Sequence, residues 1–225
     1  MFSFVIINYN TAELTSACIE SIFKYCELGT FEIILIDNNS SASDREILSQ
    51  CFNNRIKIIL NKKNYGFARA NNQGASSAQG DYLFFLNSDT IISSNILRPI
   101  QTAFENEKSL GVVAPRLLLK DGTEQAYAYG LKKSSSDLSW VSGAALIIRR
   151  SIFLSFGGWD ENFFMYYEDV DLCRSVIEKG YKIKRLAEVA ITHLRGGSPI
   201  PYWRRKIFYY KSKFLYIFKH NFKLL

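Results

Sequence analysis

Four cysteines, two histidines and four prolines are few for 225 residues. Cys18, Cys26, Cys51 and Cys173 show no CxxC spacing and fall in apolar or helical patterns, which argues against a disulfide framework or a zinc site and for reduced thiols in a cytoplasmic protein. No apolar run is long enough to cross a bilayer. The first ten residues, MFSFVIINYN, have neither a basic leader nor a cleavage signal and read as a first strand. Acids are missing from residues 201–225, which hold seven of the 28 basic residues. The remaining 200 residues carry 21 charges of each sign. The net charge of +7 therefore belongs to one segment, and a basic surface suited to coating nucleic acid is excluded.

What is abundant is apolar and aromatic content, 48% and 15%, enough for one α/β domain with a sizeable core. Strands are expected at Phe2 to Ile7, Phe31 to Ile36, Ile56 to Leu60, Tyr82 to Leu86, Val112 to Leu119, Val141 to Ile148, Tyr181 to Leu186 and Val189 to His193. The first helix shows an apparent capping box, Asn10 with Glu13, and a stripe of Leu14, Ala17, Cys18, Ser21, Ile22 and Tyr25. Further helices are expected at about 43–51, after Gly66, over Ser94 to Glu107 and over about 167–179, the last burying Tyr166, Val170, Cys173 and Ile177. A polar loop is expected at Lys132 to Ser139. Early strands alternating with helices argue a mainly parallel sheet, whose ligands bind at the carboxyl ends of the strands. Asn8-Tyr9-Asn10, Asp37-Asn38-Asn39, Asn61 to Asn64 and Asn87-Ser88-Asp89 all lie at such ends.

The stretch GGWDENFFMYYEDVD, 157–171, concentrates aromatics and acids beyond what a helix start needs. Acids in a first turn stabilise the helix dipole by about 0.3 to 1 kcal/mol each, which accounts for one or two of them. The other reading is a catalytic site, because acids beside apolar walls make general bases. Asp89 suits a hard divalent cation held largely by substrate phosphates, or an ordinary Asx turn. His193 closes an apolar strand, as a structural histidine or as one facing the basic loop that begins at Arg195. Asp37 could accept from the N3–H of uracil or thymine, or cap a turn.

Taken in order, VIINYN (5–10), ILIDNNSS (34–41), NYGFARANNQG (64–74), GDYLFFLNSDT (80–90), VSGAALIIRR (141–150), FGGWDENFFMYYEDVDLCRS (156–175) and HLRGGS (193–198) resemble a family 2 glycosyltransferase. The match is to the rhamnosyltransferase-like group that builds bacterial surface polysaccharides. The resemblance implies a single GT-A domain over residues 1–200, with a mixed, mainly parallel sheet flanked by helices, and a basic aromatic helix over 201–225. It implies an inverting hexosyltransferase that uses a dTDP- or UDP-sugar donor, rhamnose first, a Mg or Mn cofactor, and a glycan or lipid-linked acceptor. Asn8, Asn10, Asp37, Asn64, Gly66, Phe67, Asn72, Asn87, Ser88 and Arg195 would bind the nucleotide-sugar, with the whole Gly66 to Asn72 segment lining its pocket. Asp89 and His193 would hold the metal, with Asn87 standing where the family often has a first acid. Asp169 would be the base, kept ionised by the helix dipole, with Glu168 in support. Trp159, Asp160 and Glu161 would face the acceptor.

The tail's Ile207, Tyr210, Phe214 and Ile217 recur at helical spacing. Two readings remain: a helix packed on the domain through that row, or an interfacial helix on the anionic inner leaflet. A sugar nucleotidyltransferase and a nucleotide- or RNA-binding module are the competing functions. The first lacks its basic glycine-rich loop, and the second would need aromatics on a sheet face.

Overall fold

The computed structural model describes residues 1–27, 29–52, 54–125, 129–131, 138–195 and 199–221. Most of the expected polar loop, 132–137, and the Gly196-Gly197-Ser198 part of the loop after His193 lie outside the described residues.

Strands β1 (Phe2–Asn8), β2 (Phe31–Asp37), β3 (Lys57–Leu60) and β4 (Tyr82–Asn87) run parallel in the order β3-β2-β1-β4. Between them come the helices α1 (Ala12–Tyr25), α2 (Ala42–Phe52) and α3 (Phe67–Ser77). The sheet continues with β9 (Ala145–Arg149), antiparallel to both β4 and β6 (Leu110–Leu118). It then adds β10 (Lys182–His193), parallel to β6, and ends at β5 (Thr90–Ile92), antiparallel to β10. The carboxyl ends of β1, β2, β3, β4, β6 and β10 thus share one rim with the amino ends of β5 and β9.

The continuous apolar runs have their cause in this burial. Phe2, Phe4 and Ile6 of β1 face a core with α1, α2 and α4 (Leu97–Asn106). Val5, Ile34, Ile36, Leu83 and Phe85 face a second core with α3, α5 (Arg150–Ser155) and α6 (Glu168–Glu178). In the central strands β1 and β4 nearly every side chain is covered whichever way it points, so a polar alternation there would leave buried groups unpaired.

Several expected details differ. The strand over 141–148 is broken: β8 (Leu138–Val141) pairs with β7 (Tyr129–Leu131) in a small second sheet, and β9 starts after Ser142-Gly143-Ala144. The break exists because the carbonyl of Ala144 accepts from Asn87 N and the N–H of Gly143 donates to Asp169. The two late strands are one, β10, with an irregularity between Leu186 and Ala190. Asn10 is not the cap of α1: Thr11 holds that place, and the buried residues are Ala12, Thr15, Cys18, Ile19, Ser21 and Ile22, of which Cys18, Ser21 and Ile22 belong to the expected stripe. α6 buries Glu168, Asp171, Leu172, Cys173 and Val176, a face rotated from the expected one because the acids point inward. Cys18, Cys26 and Cys173 are buried free thiols, whereas Cys51 is exposed.

The final helix, α7 (Tyr202–Asn221), rests on the domain through Phe208, Ser212, Tyr216, Lys219 and His220. The row expected to be buried, Ile207, Tyr210, Phe214 and Ile217, faces outward instead. The other face prevails because it carries the polar partners that the segment 160–171 requires.

Candidate active site

Parallel register brings Asn8 opposite Asp37, and Ile7 opposite Asn87. In front of these ends lies an open cleft. Ile7, Leu86, Asn87, Ser88 and Asp89 form its floor; Tyr9, Thr11, Asn38, Asn64, Gly66, Phe67 and Asn71 its walls; Phe164, Met165, Pro199 and Ile200 its far side. Gly66 has φ +82°, and a Cβ there would stand 2.4 Å from the carbonyl oxygen of Phe164, which instead accepts from Phe67 N at 2.7 Å. Only glycine permits that approach, and it closes the cleft between the two loops.

Of the residues expected on the donor side, Asn64, Gly66, Phe67, Asn87 and Ser88 line this cleft, whereas Asn8, Asn10, Asp37, Asn72 and Arg195 do not. Asn8 is fully buried, donating to Asp37 and Ser40 and accepting from the hydroxyls of Thr11 and Thr15. Asp37 is equally buried: Asn8 donates to one oxygen, and Ser40 N and Arg45 Nε, at 2.6 Å, to the other. These two side chains tie the strand ends together. Asn10, at φ 53°, holds the turn at Ser40-Ser41. Asn72 exchanges both amide atoms with the backbone of Trp159 and also donates to Glu161. Arg195 is exposed just beyond β10. One position before Asn72, Asn71 is buried and lines the cleft, and its Nδ2 has no hydrogen-bond partner among the described residues.

Asp89 and His193 converge, although they are far apart in the chain. His193 pairs with Thr90 across β10 and β5, and its Nε2 lies 3.1 Å from Asp89 Oδ1. Its Nδ1 lies 2.7 Å from Oε1 of the buried Gln125. With Nδ1–H donating to Gln125, Nε2 turns a lone pair toward a carboxylate oxygen. Two cis ligands bonded at 2.0–2.1 Å stand about 3 Å apart, so the pair fits a hard divalent cation. No group of three or more metal-ligating side chains occurs among the described residues, and the other positions would fall to the diphosphate and water.

Neither Asp169 nor Glu168 lines the cleft itself; Asp169 lies behind the lining residue Phe67, its Oδ2 accepting from Gly143 N at 3.0 Å and its Oδ1 from Val170 N at 2.9 Å. Burial raises the Asp169 carboxyl pKa, and the backbone N–H bonds only partly offset it. The downward shift expected from the helix dipole is therefore overturned, because loss of water outweighs the dipole at this depth. Burial and then the Asp169 charge push the Glu168 carboxyl higher still above its ordinary range, and Glu168 Oε2 has no partner among the described residues. Backbone N–H donors on both Asp169 oxygens favour the charge there, and Glu168, buried with no donor on Oε2, is the better place for the proton of the pair. Tyr166 and Tyr167, just before, hold φ of 71° and 69°, a strain on the order of 1 to 3 kcal/mol each.

The residues expected on the acceptor side divide. Trp159 is core, packed edge-on against Phe67, Phe85 and Phe153, because its flat indole fills the gap between α3 and β4. Asp160 accepts from Lys219 at 2.7 Å; burial raises its pKa, but the Lys219 bond and the Asn162 donors outweigh it and leave it lowered. Glu161 is half exposed beside Arg69. Asn71 falls in the Gly66 to Asn72 segment expected to line the pocket, whereas Asn38, Thr11, Gln125 and Met165 were not expected there. Asn38 and Thr11 each adjoin an expected residue, Asp37 and Asn10.

A family model described as Glycosyl transferase family 2 matches residues 3–153. The O-antigen chain rhamnosyltransferase WbaN of Salmonella anatum is 30% identical over 184 residues, covering 75% of this chain and 58% of the relative. The low-salt glycan biosynthesis hexosyltransferase Agl10 of Haloferax volcanii is 23% identical over 212 residues, covering 85% of this chain and 66% of the relative. The chain thus spans less than two thirds of the length of either. Among solved structures, S. aureus TarS in complex with UDP matches with a TM-score of 0.69 at 17% identity, over 85% of this chain and 59% of that one. The mannosyltransferase PcManGT from Pyrobaculum calidifontis, in complex with GDP-Man and Mn²⁺, matches with a TM-score of 0.68 at 13% identity, over 90% of this chain and 59% of that one. These likenesses speak for the fold, the GT-A arrangement of a mixed sheet between helices. The family match spans about two thirds of the chain and includes the strand ends that floor the cleft, so the chain is a member of glycosyl transferase family 2.

Proposed function

We propose that this chain transfers a sugar from a nucleoside-diphosphate donor to a hydroxyl of a glycan or lipid-linked acceptor, with inversion, in the synthesis of a cell-surface polysaccharide. A dTDP- or UDP-sugar is the donor class, with rhamnose the first sugar to test, given the kinship to WbaN. The reaction is read as cytoplasmic, on the inner face of the cell membrane, which the segment 201–225 would contact. The observation that carries this reading is the shared rim: the Asp89–His193 pair at the floor of the cleft, and Asp169 held by Gly143 behind Phe67.

In this reading the nucleoside lies along Tyr9, Thr11, Asn38 and Asn64, and Asn71 donates its free amide hydrogens to the donor sugar or its diphosphate. Asp89 and His193 would hold Mg²⁺ or Mn²⁺, with Asn87 adding a neutral oxygen. A cation there would neutralise charge growing on the leaving diphosphate. Asp169 takes the proton of the acceptor hydroxyl as that oxygen bonds to the anomeric carbon, and the bond from that carbon to the diphosphate oxygen breaks, its electron pair leaving with the diphosphate. A raised pKa makes Asp169 a better proton acceptor than an ordinary carboxylate. Glu168, carrying the proton of the pair, keeps a second negative charge out of the same space.

A panel of nucleotide sugars with Mn²⁺ tests this reading, scored by thermal shift and by the product released. A dTDP- or UDP-sugar should stabilise the protein and yield nucleoside diphosphate, with inverted configuration by NMR. Release of pyrophosphate, or no response to any nucleotide sugar, would overturn it.

A further inference from the structure

α7 carries two faces with different work. Its inner face holds the loop that borders the cleft: the Phe208 ring stacks on Phe164 at 4.6 Å, and Ser212 Oγ donates to the carbonyl of Met165 at 2.8 Å. Lys219 bridges Asp160 and Asp171, and His220 Nε2 meets Asp171 Oδ1 at 2.7 Å. The outer face is a single apolar row, Trp203, Ile207, Tyr210, Phe214 and Ile217, at i, i+4, i+7, i+11 and i+14. These side chains are 61, 44, 61, 72 and 41% exposed. At about 100° per residue, Lys206 and Lys213 fall along one side of the row and Arg204 and Lys211 along the other, all four exposed.

A helix packed on a soluble domain normally turns its apolar stripe inward. Here the stripe points away from the protein, between two rows of cations. A second copy of the chain is a poor occupant, because a two-fold contact through this face would oppose cation rows with no acid anywhere in 201–225 to separate them. An anionic bilayer satisfies both components: the apolar row enters the headgroup–acyl boundary, Trp203 and Tyr210 sit at the interface, and the cations meet lipid phosphates. Each such cation near an anionic leaflet is worth about fivefold in affinity. No described helix is long and apolar enough to cross a membrane, so α7 would lie on the surface along its length of about 30 Å.

We propose that the outer face of α7 docks on an anionic lipid bilayer, and that the same helix thereby sets the Phe164–Met165 border of the cleft beside the membrane plane. The docking stands on the helix alone. The consequence, delivery of a lipid-linked acceptor to Asp169, rests on the proposed transferase reading.

The full chain is sedimented with phosphatidylcholine vesicles and with vesicles of equal parts phosphatidylcholine and phosphatidylglycerol. The wild type should sediment with the anionic vesicles and stay soluble with the neutral ones. Lys206→Glu with Lys213→Glu should lower that binding at least tenfold, as should Trp203→Ser with Phe214→Ser, while the thermal shift with nucleoside diphosphate and Mn²⁺ is unchanged, since all four positions face away from the domain. Recovery of the wild type in the soluble fraction with both vesicles would overturn docking, whatever the state of nucleotide binding. So would a wild-type dimer by sedimentation velocity that Phe214→Ser dissolves, or retention on RNA that competes with vesicles and exceeds them in affinity. Vesicle binding without response to any nucleotide would leave docking standing and count against the transferase reading alone.

Discussion

The N–H of Gly143 donates to Asp169 Oδ2 at 3.0 Å, joining a break between two strands to the first turn of α6. A Cβ at position 143 would meet the Phe67 ring at 3.2 Å and Asp169 Cβ at 3.7 Å. Gly143→Ala should therefore displace either the Phe67 ring or the backbone at 143 that donates to Asp169 by a few tenths of an ångström. The expected outcome is a fall of about tenfold in kcat for transfer, with the fold retained by circular dichroism. An unchanged kcat would show that Asp169 does not depend on this bond.

The acids of α6 set a pH dependence. Both Glu168 and Asp169 have folded pKa values above their ordinary ones, chiefly through burial. The folded state thus holds protons that the unfolded chain releases, so the associated stability is full below the ordinary carboxylate range and is lost as pH rises toward the folded values. Glu168→Gln removes the larger share of this loss. It should raise Tm at neutral pH, and the difference from wild type should shrink on acidification. For transfer itself, the acid limb of the kcat/KM profile should lie above the ordinary aspartate value of about 3.9.

Neighbouring asparagines should separate cleanly. Asn72→Ala removes the bonds to the Trp159 backbone and should cost about 1 to 3 kcal/mol of stability in urea unfolding, with nucleotide affinity retained. Asn71→Ala deletes a donor that has no partner among the described residues, so stability should hold while affinity for the nucleotide-sugar falls about tenfold by calorimetry.

Gln125 should matter for the metal. With Oε1 at 2.7 Å from His193 Nδ1, it fixes which ring nitrogen faces Asp89. Gln125→Leu should weaken Mn²⁺ binding in the presence of nucleoside diphosphate by about 10- to 100-fold, read by electron paramagnetic resonance. Equal affinity would remove Gln125 from the site.

The sheet was legible because its central strands are buried on both faces, and a run such as Phe2–Asn8 has few other solutions. Polar clusters at strand ends then pointed to the rim at which the cleft opens. What the sequence hid depends on side-chain direction. Asp37 and Asn8 stand at the rim but are spent on each other, and nothing in their spacing distinguishes a ligand contact from a buried tie. Trp159 looks like an acceptor wall until Phe85 and Phe153 are seen to enclose it. In α7 the helical period was right and the face was reversed, because the polar inner side, Ser212, Lys219 and His220, is attracted by Met165, Asp160 and Asp171, which lie some 50 residues away.

One substitution reaches the core of this account. Asp169→Asn keeps the shape of the side chain and at least one backbone bond while removing the proton acceptor. Transfer from the preferred nucleotide-sugar should fall by about 10²- to 10⁴-fold, with the Kd for that donor and the Tm close to wild type. Full transfer by Asp169→Asn would contradict the assignment of Asp169 as the base.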